Sequence, residues 1–369
     1  MEEIFDFLIV GAGFSGAVIA ERLASQLDKK VLVIDKRNHL GGNCYDYLDE
    51  NNIIVQKYGP HIFHTDKPEV LEYLLKFTKL NDYKHKVLAF HKEKYYPVPI
   101  NLDTVNIFYG LDLKNEEELK SFLEKIKVNL TEIKNSEDVV ISKFGKELYE
   151  AFIKNYTKKQ WDKYPFELDK LILERLPVRY DKNPYFYNHP FQGMPLEGFG
   201  EIFKKMLNHP NIKVLLNQDF FNIKDDIKYK KLIYTGPIDQ YFNYKFGKLQ
   251  FRSINFVFES YDQEEFQPNS VVNYSDPEVE FLRSTEFKKF YNIKSPKTVI
   301  CKEYFIWGDE PIYPVFDENN KKLLERYKEE ASKLDNVFFL GRLGTFKYLD
   351  MDKAIEESLN LFQKIKNQE

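Results

Sequence analysis

Arginine is scarce in this chain: eight residues among 54 basic ones, the remainder lysine. Lysine suffices for solvated charge, whereas the planar guanidinium fork suits paired hydrogen bonds to phosphate or carboxylate. Three arginines stand in distinctive settings: Arg175 in LERLPVR, Arg252 in FRSINF and Arg283 in EFLRSTEFKKF. Arg342 follows a glycine in GRLGTFKYLDMD, while Arg179 and Arg326 read as structural and Arg22 as a surface residue. A second chemical signal lies near the start. Gly11, Gly13 and Gly16, with Phe14 and Ser15 between them, form GAGFSG. In such a loop the first glycine permits a tight turn. The second lets backbone N–H groups approach a pyrophosphate, and the third lets a helix pack close to a strand. Asp35, 19 residues beyond Gly16, is placed to accept hydrogen bonds from a ribose. His61 and His64, three apart in YGPHIFHTD, have no further ligands nearby in sequence, so no metal site is expected.

The elements that must hold these residues are legible in outline. Ile4–Val10 is an apolar, β-branched run, Ala17–Leu27 has helical periodicity, and Val31–Ile34 is a second buried strand ending at Asp35. Together they make a βαβ unit of ~30 residues around the glycine loop. Helices are expected over Pro68–Leu80, through most of Leu102–Trp161, over Leu196–Asn208 and over Lys321–Leu334. Asn115 and Ser136, each followed by acids, read as N-caps. Strands are expected over Val87–Pro99, Val214–Ile223, Lys231–Tyr234 (closing on Gly236), Phe251–Glu259, Ser270–Tyr274 and Thr298–Phe305. Pro165 to Pro195 reads as irregular. A last strand at Val337 leads through Gly341 into a final helix.

The length of 369 residues allows two or three domains and a sizeable core. A net charge of −4 gives no bulk pull toward nucleic acid or anionic membrane, so any anion must be held by a local site. Two cysteines exclude a disulfide framework or zinc cluster and read as reduced thiols. The start of the chain has no basic leader, and no apolar run approaches a membrane span, so a cytoplasmic protein is expected.

Beyond the first loop, Lys36 leads to a second glycine pair ending at Gly42, followed by Asn43, a trait shared with a large class of FAD proteins. More specific motifs follow: NYTKKQW, ERLPVR, FQGMPLEGF, YTGPIDQYF, FRSINF, GDEPIYPV and GRLGTFKYLDMD. Through these the chain resembles the UDP-galactopyranose mutase family of bacterial type over nearly its whole length. The resemblance implies an α/β fold: a discontinuous Rossmann-like FAD-binding domain with an inserted helical bundle and an antiparallel β-sheet domain. The expected division is 1–82, 191–245 and 316–369 for the FAD-binding domain and 100–170 for the helical subdomain. Residues 83–99, 171–190 and 246–315 then form a sheet-rich substrate domain. It further implies an isomerase that interconverts UDP-galactopyranose and UDP-galactofuranose. The reaction proceeds on reduced FAD through a flavin N5–sugar adduct, without net redox change.

Carried over residue by residue, the resemblance puts Arg175 and Arg283 on the departing diphosphate, where negative charge builds. Arg252 is a further substrate-side arginine and Asn273 a polar contact near the diphosphate. Phe152 and Tyr156 are candidates for a uracil slot, although their spacing alone fits core packing better. Trp161 falls near the sugar or flavin, Tyr313 and Tyr348 on the diphosphate, and a further tyrosine is Tyr185 or Tyr187. His61, Ile62 and His64 fall at the flavin ring, with Gly236 also on the cofactor. Near the end of the chain, Arg342, Asp350 and the helix starting at Met351 would hold its reactive end. There a helix N-terminus capped by Asp350 meets the negative charge of the reduced ring. A homodimer is expected by the same analogy.

Four positions depart from the family pattern: His85 for asparagine, Asp162 for glycine, and Ile312 and Phe346 for tyrosines. They leave the diphosphate arginines intact and open the choice of sugar, including UDP-N-acetylgalactosamine or another nucleotide-linked hexose. An amine-oxidase-like flavin oxidoreductase and a nucleotide-sugar sensor are the readings from other classes.

Overall fold

The structure, a computed structural model, describes residues 4–174 and 176–368. It divides into two compact units. The first comprises Met1–Asp82, His189–Phe251 and Asp309–Glu369. Its centre is a five-stranded sheet in the order Val337–Phe339, Lys228–Tyr234, Ile4–Val10, Val31–Ile34, Ile212–Leu215. Every neighbouring pair is parallel. Strands buried on both faces read as continuous apolar runs, which is why the first two were visible in sequence. Val10 lies level with Ile34 on one side and Tyr234 on the other. The carboxyl ends of three strands therefore align, the edge at which open α/β sheets take ligands. One face buries Phe5, Leu8, Leu32, Ile34, Phe220, Leu232 and Tyr234 together.

The second unit comprises Tyr83–Asn188 and Arg252–Gly308. Its strands follow the order Phe251–Tyr261, Thr298–Ile306, Arg283–Glu286, Val271–Tyr274, Val87–His91, Lys94–Val98. Pairing is antiparallel except between Val271–Tyr274 and Val87–His91, which run parallel. The helices Leu102–Tyr109, Glu116–Ile126 and Ser136–Leu148 bury Leu102, Val105, Leu119, Leu123, Val140 and Phe144 in one cluster. A π-helical stretch, Tyr149–Lys154, then leads into Asn155–Trp161. Such a wide turn rotates the side chains that follow it, and it often marks a functional helix.

Several sequence expectations need correction. The helix expected to start at Ser136 is capped by Asn135, whose side chain accepts from the Asp138 N–H. The strand expected over Val214–Ile223 is Ile212–Leu215 followed by a helical turn, Phe220–Ile223, because the Asp219 side chain caps Phe221. The helix from Pro68 ends at Leu74. Arg22 is not a surface residue: it pairs with Glu21 at 2.5 Å and lies over the Tyr73 ring. Tyr73 in turn donates to Glu21 at 2.8 Å, which locks the back of the first helix. Among the described residues, no helix is long and apolar enough to cross a membrane.

Candidate cofactor and substrate sites

In the first unit the glycine loop is fixed by its own backbone. Gly11 has φ +105, and a β-carbon there would meet Thr235 Oγ1 at 2.0 Å. A β-carbon on Gly16 would come within 1.9 Å of the Gly11 carbonyl oxygen. These two glycines are demanded by the fold. Gly13 is not: the nearest atom to its β-carbon would be the Gly42 Cα at 3.7 Å. The chain itself gives no reason for glycine there, whereas a ligand approaching the backbone does. Gly13 is also the N-cap of helix Phe14–Leu27, with no side-chain cap and no acid in the first turn. A buried helix start with unpaired N–H groups suits a pyrophosphate. Asp35 is buried; its Oδ2 accepts from the Ala12 N–H at 2.8 Å and its Oδ1 from the Arg37 N–H at 2.9 Å. A carboxylate offers about four acceptor positions, so capacity for a ribose hydroxyl remains.

The second glycine pair packs directly on this loop, since a β-carbon on Gly42 would meet the Gly13 Cα at 3.1 Å. Arg37, which the sequence reading passed over, fastens it. Its guanidinium donates to Asn43 Oδ1 at 3.0 Å, pairs with Glu310 and lies 4.3 Å from the Tyr58 ring centre. Lys36 adjoins this arginine in sequence. The late turn at Gly341 closes on the same loop: with φ +78, a β-carbon there would meet Ser15 Oγ at 2.8 Å. Ser358, on the final helix, donates to the Ser15 carbonyl at 3.2 Å. On the neighbouring strand end, a β-carbon on Gly236 would meet the Tyr234 hydroxyl oxygen at 2.6 Å.

Around that late turn the parts assemble as a cluster. Arg342 donates to the carbonyls of Ile312 at 3.2 Å and Leu349 at 2.6 Å. Its guanidinium lies against both Tyr313 and Tyr348, whose rings stack 5.7 Å apart. Asp350 occupies the N-cap of helix Met351–Lys366, but its side chain makes no capping bond, contrary to the sequence expectation. The first-turn N–H groups thus keep their capacity for an anion. His61 is held by Gln56, which bonds both its N–H (2.6 Å) and its carbonyl (2.9 Å), and its Nδ1 meets the Gly59 carbonyl at 3.0 Å. Burial pulls the His61 imidazole down to about 4, with Arg342 acting in the same direction and Asp350 opposing. Ile62 is buried beside it. His64, on strand Phe63–Thr65, is buried, and its Nδ1 lies 2.8 Å from Nδ1 of His189.

In the second unit the chemistry is carried by side chains on paired strands. Asn273 stands opposite Arg283, and Arg283 opposite Glu303. Arg283 Nη1 lies 3.7 Å from Glu303, and its Nη2 donates to the Tyr156 hydroxyl at 3.1 Å. Glu303 is 2% exposed, and burial raises its carboxyl pKa against the opposing pull of Arg283. The sequence reading missed this glutamate; its signal was an acid inside the apolar strand Thr298–Ile306. The Asn273 Oδ1 atom is buried.

Other candidates fall elsewhere. Phe152 is buried among Tyr96, Phe108 and His91, an aromatic core contact. Arg252 is also buried; it donates to the carbonyls of Gln160 at 3.0 Å and Lys159 at 3.4 Å. It thereby holds the end of the helix that carries Tyr156 and the half-buried Trp161. Trp307 covers Arg252 at 4.6 Å and donates to Asp162 at 3.0 Å. Lys159 donates to the carbonyls of Tyr274 and Asp276 at 2.8 Å each, tying the same helix to the strand of Asn273. Burial pulls its ammonium down to about 8, against Asp276 and Glu278. Tyr187 stacks on the buried His85, while the carbonyl of Tyr185 is held by Arg179. Arg175 lies outside the described residues.

A parallel sheet with a glycine-built dinucleotide cradle, accompanied by a unit whose sheet sets Arg283 between Asn273 and the buried Glu303, defines a Rossmann-like nucleotide-binding protein with a second, side-chain-rich unit. The model of the NAD(P)-binding Rossmann-like domain matches residues 9–77, and that of UDP-galactopyranose mutase matches residues 151–348. A Klebsiella pneumoniae protein named "Probable UDP-galactopyranose mutase" is 39% identical over 96% of this chain and 93% of its own length. An Escherichia coli dTDP-fucopyranose mutase is 36% identical over 96% of this chain and 97% of its own. A solved structure of reduced UDP-galactopyranose mutase superposes with a TM-score of 0.76 at 16% identity, covering 100% of this chain and 95% of that one. The chain belongs to the UDP-galactopyranose mutase family, an isomerase family.

Proposed function

We propose that the chain is an FAD-dependent mutase that interconverts the pyranose and furanose forms of a hexose carried on a nucleoside diphosphate, with UDP-galactose as the substrate. The observation that carries the reading is the row Asn273–Arg283–Glu303 with Tyr156 bonded to the same arginine. A guanidinium set between a buried acid and a tyrosine hydroxyl is oriented in advance for a diphosphate whose charge grows as it departs. Arg175 is proposed as the second such fork. Tyr313 and Tyr348, lying against Arg342, are proposed as hydroxyl donors to a diphosphate.

The FAD pyrophosphate and ribose would be held by Gly11–Gly16, Asp35, Lys36, Gly42 and Asn43. The flavin end would lie with His61, Ile62, His64, Gly236, Arg342, Asp350 and Met351. When bound and reduced, the flavin supplies a nucleophile for the anomeric carbon and is regenerated, so no net oxidation results. The chain orients and screens: a neutral His61 adds no charge beside the ring, and the start of helix Met351–Lys366 supplies N–H groups to its anionic edge. The protein is further proposed to be a cytoplasmic homodimer, which sedimentation of the purified protein tests.

The E. coli relative's name supports a second reading, a dTDP-linked 6-deoxyhexose, and the His85 and Asp162 departures keep UDP-N-acetylgalactosamine in play. The test is chromatography of dithionite-reduced enzyme with UDP-galactopyranose, UDP-N-acetylgalactosamine and dTDP-fucopyranose. Furanose product over many turnovers, with the flavin still reduced, is expected. Stoichiometric flavin oxidation instead would assign an oxidoreductase, and nucleotide binding without any furanose product would refute catalysis.

A further inference from the structure

Two imidazoles facing each other through Nδ1 atoms 2.8 Å apart, those of His64 and His189, share a single proton. Two protons would collide there, and none would leave two lone pairs opposed, so one ring donates and the other accepts. The contact is built rather than incidental. His64 sits on a short strand paired with Phe191–Gly193, level with Gln192. Gln192 donates its amide N–H to the His189 carbonyl at 3.0 Å. Pro190 follows His189 and confines its backbone to extended conformations. The rings meet at 52°, with centroids 4.8 Å apart, so they touch through their edges rather than by stacking.

We propose that His189 is the positioning residue of His64: its Nδ1–H donates to Nδ1 of His64 and so keeps the proton of His64 on Nε2. This rests on the reading above, in which His64 lies at the flavin. The direction of donation follows from charge. The start of the final helix brings Asp350 and Asp352 near His64, and Asp352 is itself 2% exposed. With Nδ1 committed to His189, Nε2 is the ring nitrogen of His64 left to carry a proton, and a proton there is favoured by these nearby carboxylates. Burial is the largest influence on His64 and depresses its pKa, and the His189 neighbour acts the same way; Asp350 and Asp352 oppose them. His64 therefore stays neutral near neutral pH, and its tautomer is set by the shared bond. His64 then offers an N–H donor from Nε2, and not a lone pair, to whatever it touches.

The experiment is long-range 1H–15N correlation on histidine-labelled holoenzyme above neutral pH, a tractable case with seven histidines. Wild type is expected to have His64 protonated on Nε2 and His189 on Nδ1. His189→Asn retains an N–H donor and keeps that tautomer; His189→Phe removes the donor and leaves His64 with mixed tautomers. Turnover in His189→Phe falls about tenfold in kcat with KM little changed, as when a working imidazole loses its orienting partner, and His189→Asn recovers most of it. Finding His64 protonated on Nδ1 in wild type, or an unmoved tautomer in His189→Phe, overturns the proposal. The spectra are independent of substrate, so they stand even if the mutase reading fails.

Discussion

The two units offer an anion different materials. The first uses backbone: glycines whose missing β-carbons let three turns close on one another, and two helix starts without side-chain caps. The second uses side chains: Arg283 set by Glu303, Arg252 and Lys159 holding helix and strand ends by their carbonyls. Backbone cradles bind through fixed dipoles and tolerate little change of shape. Side-chain forks bind through full charges and depend on the buried acid or carbonyl that orients them.

If that contrast holds, damage to the two units has different signatures. Arg283→Ala should lower kcat/KM by about 10³, the loss expected when a group stabilising the developing charge is removed, while flavin content stays at wild-type level. Loss of flavin in that variant would contradict the division of labour. Gly16→Ala should cost about 3 kcal/mol of stability by overpacking the loop, read from denaturant unfolding of the apoprotein, because its β-carbon meets a carbonyl oxygen at 1.9 Å. His61 gives a pH signature. Its folded-state pKa of about 4 lies below the ordinary 6.5, so the unfolded chain takes the proton first. Its stabilisation is complete above pH 6.5 and is lost as pH falls toward 4, by roughly 1–3 kcal/mol. Unfolding midpoints of wild type and His61→Gln should therefore converge on acidification, and parallel profiles would refute the assignment. Gly13→Ala should be the mildest for the fold, within about 0.5 kcal/mol, yet lose flavin, since no chain atom lies closer than 3.7 Å to the new carbon.

How much was legible in sequence follows the same contrast. The glycine loop, its strands and Asp35 were readable because backbone geometry dictates glycine at short, fixed spacings. Arg283 and Tyr156 were found through motif resemblance, but their contact joins residues 127 apart, and no local pattern encodes it. Glu303, Lys159, Trp307 and His189 were missed for that reason: each acquires meaning from a strand or helix end brought up by the fold. Asp350 was misjudged in detail, since the helix-start position was right but the capping bond did not form. Phe152, whose spacing favoured a core over a base slot, lies in an aromatic cluster whose members come from four separate elements.

The closure of the last turn and helix onto Ser15 has a bearing on how the chain is made. The first helix emerges from the ribosome early, but Gly341 and Ser358, which pack on it, come more than three hundred residues later. At synthesis rates of about 5–20 residues per second the nascent first helix waits for roughly 15 seconds or more without that cover. The second unit, complete by Gly308, can finish meanwhile. The nucleotide cradle is thus among the last parts to mature, and cofactor capture is expected to come late. Chaperone dependence and flavin loading during expression should then vary together.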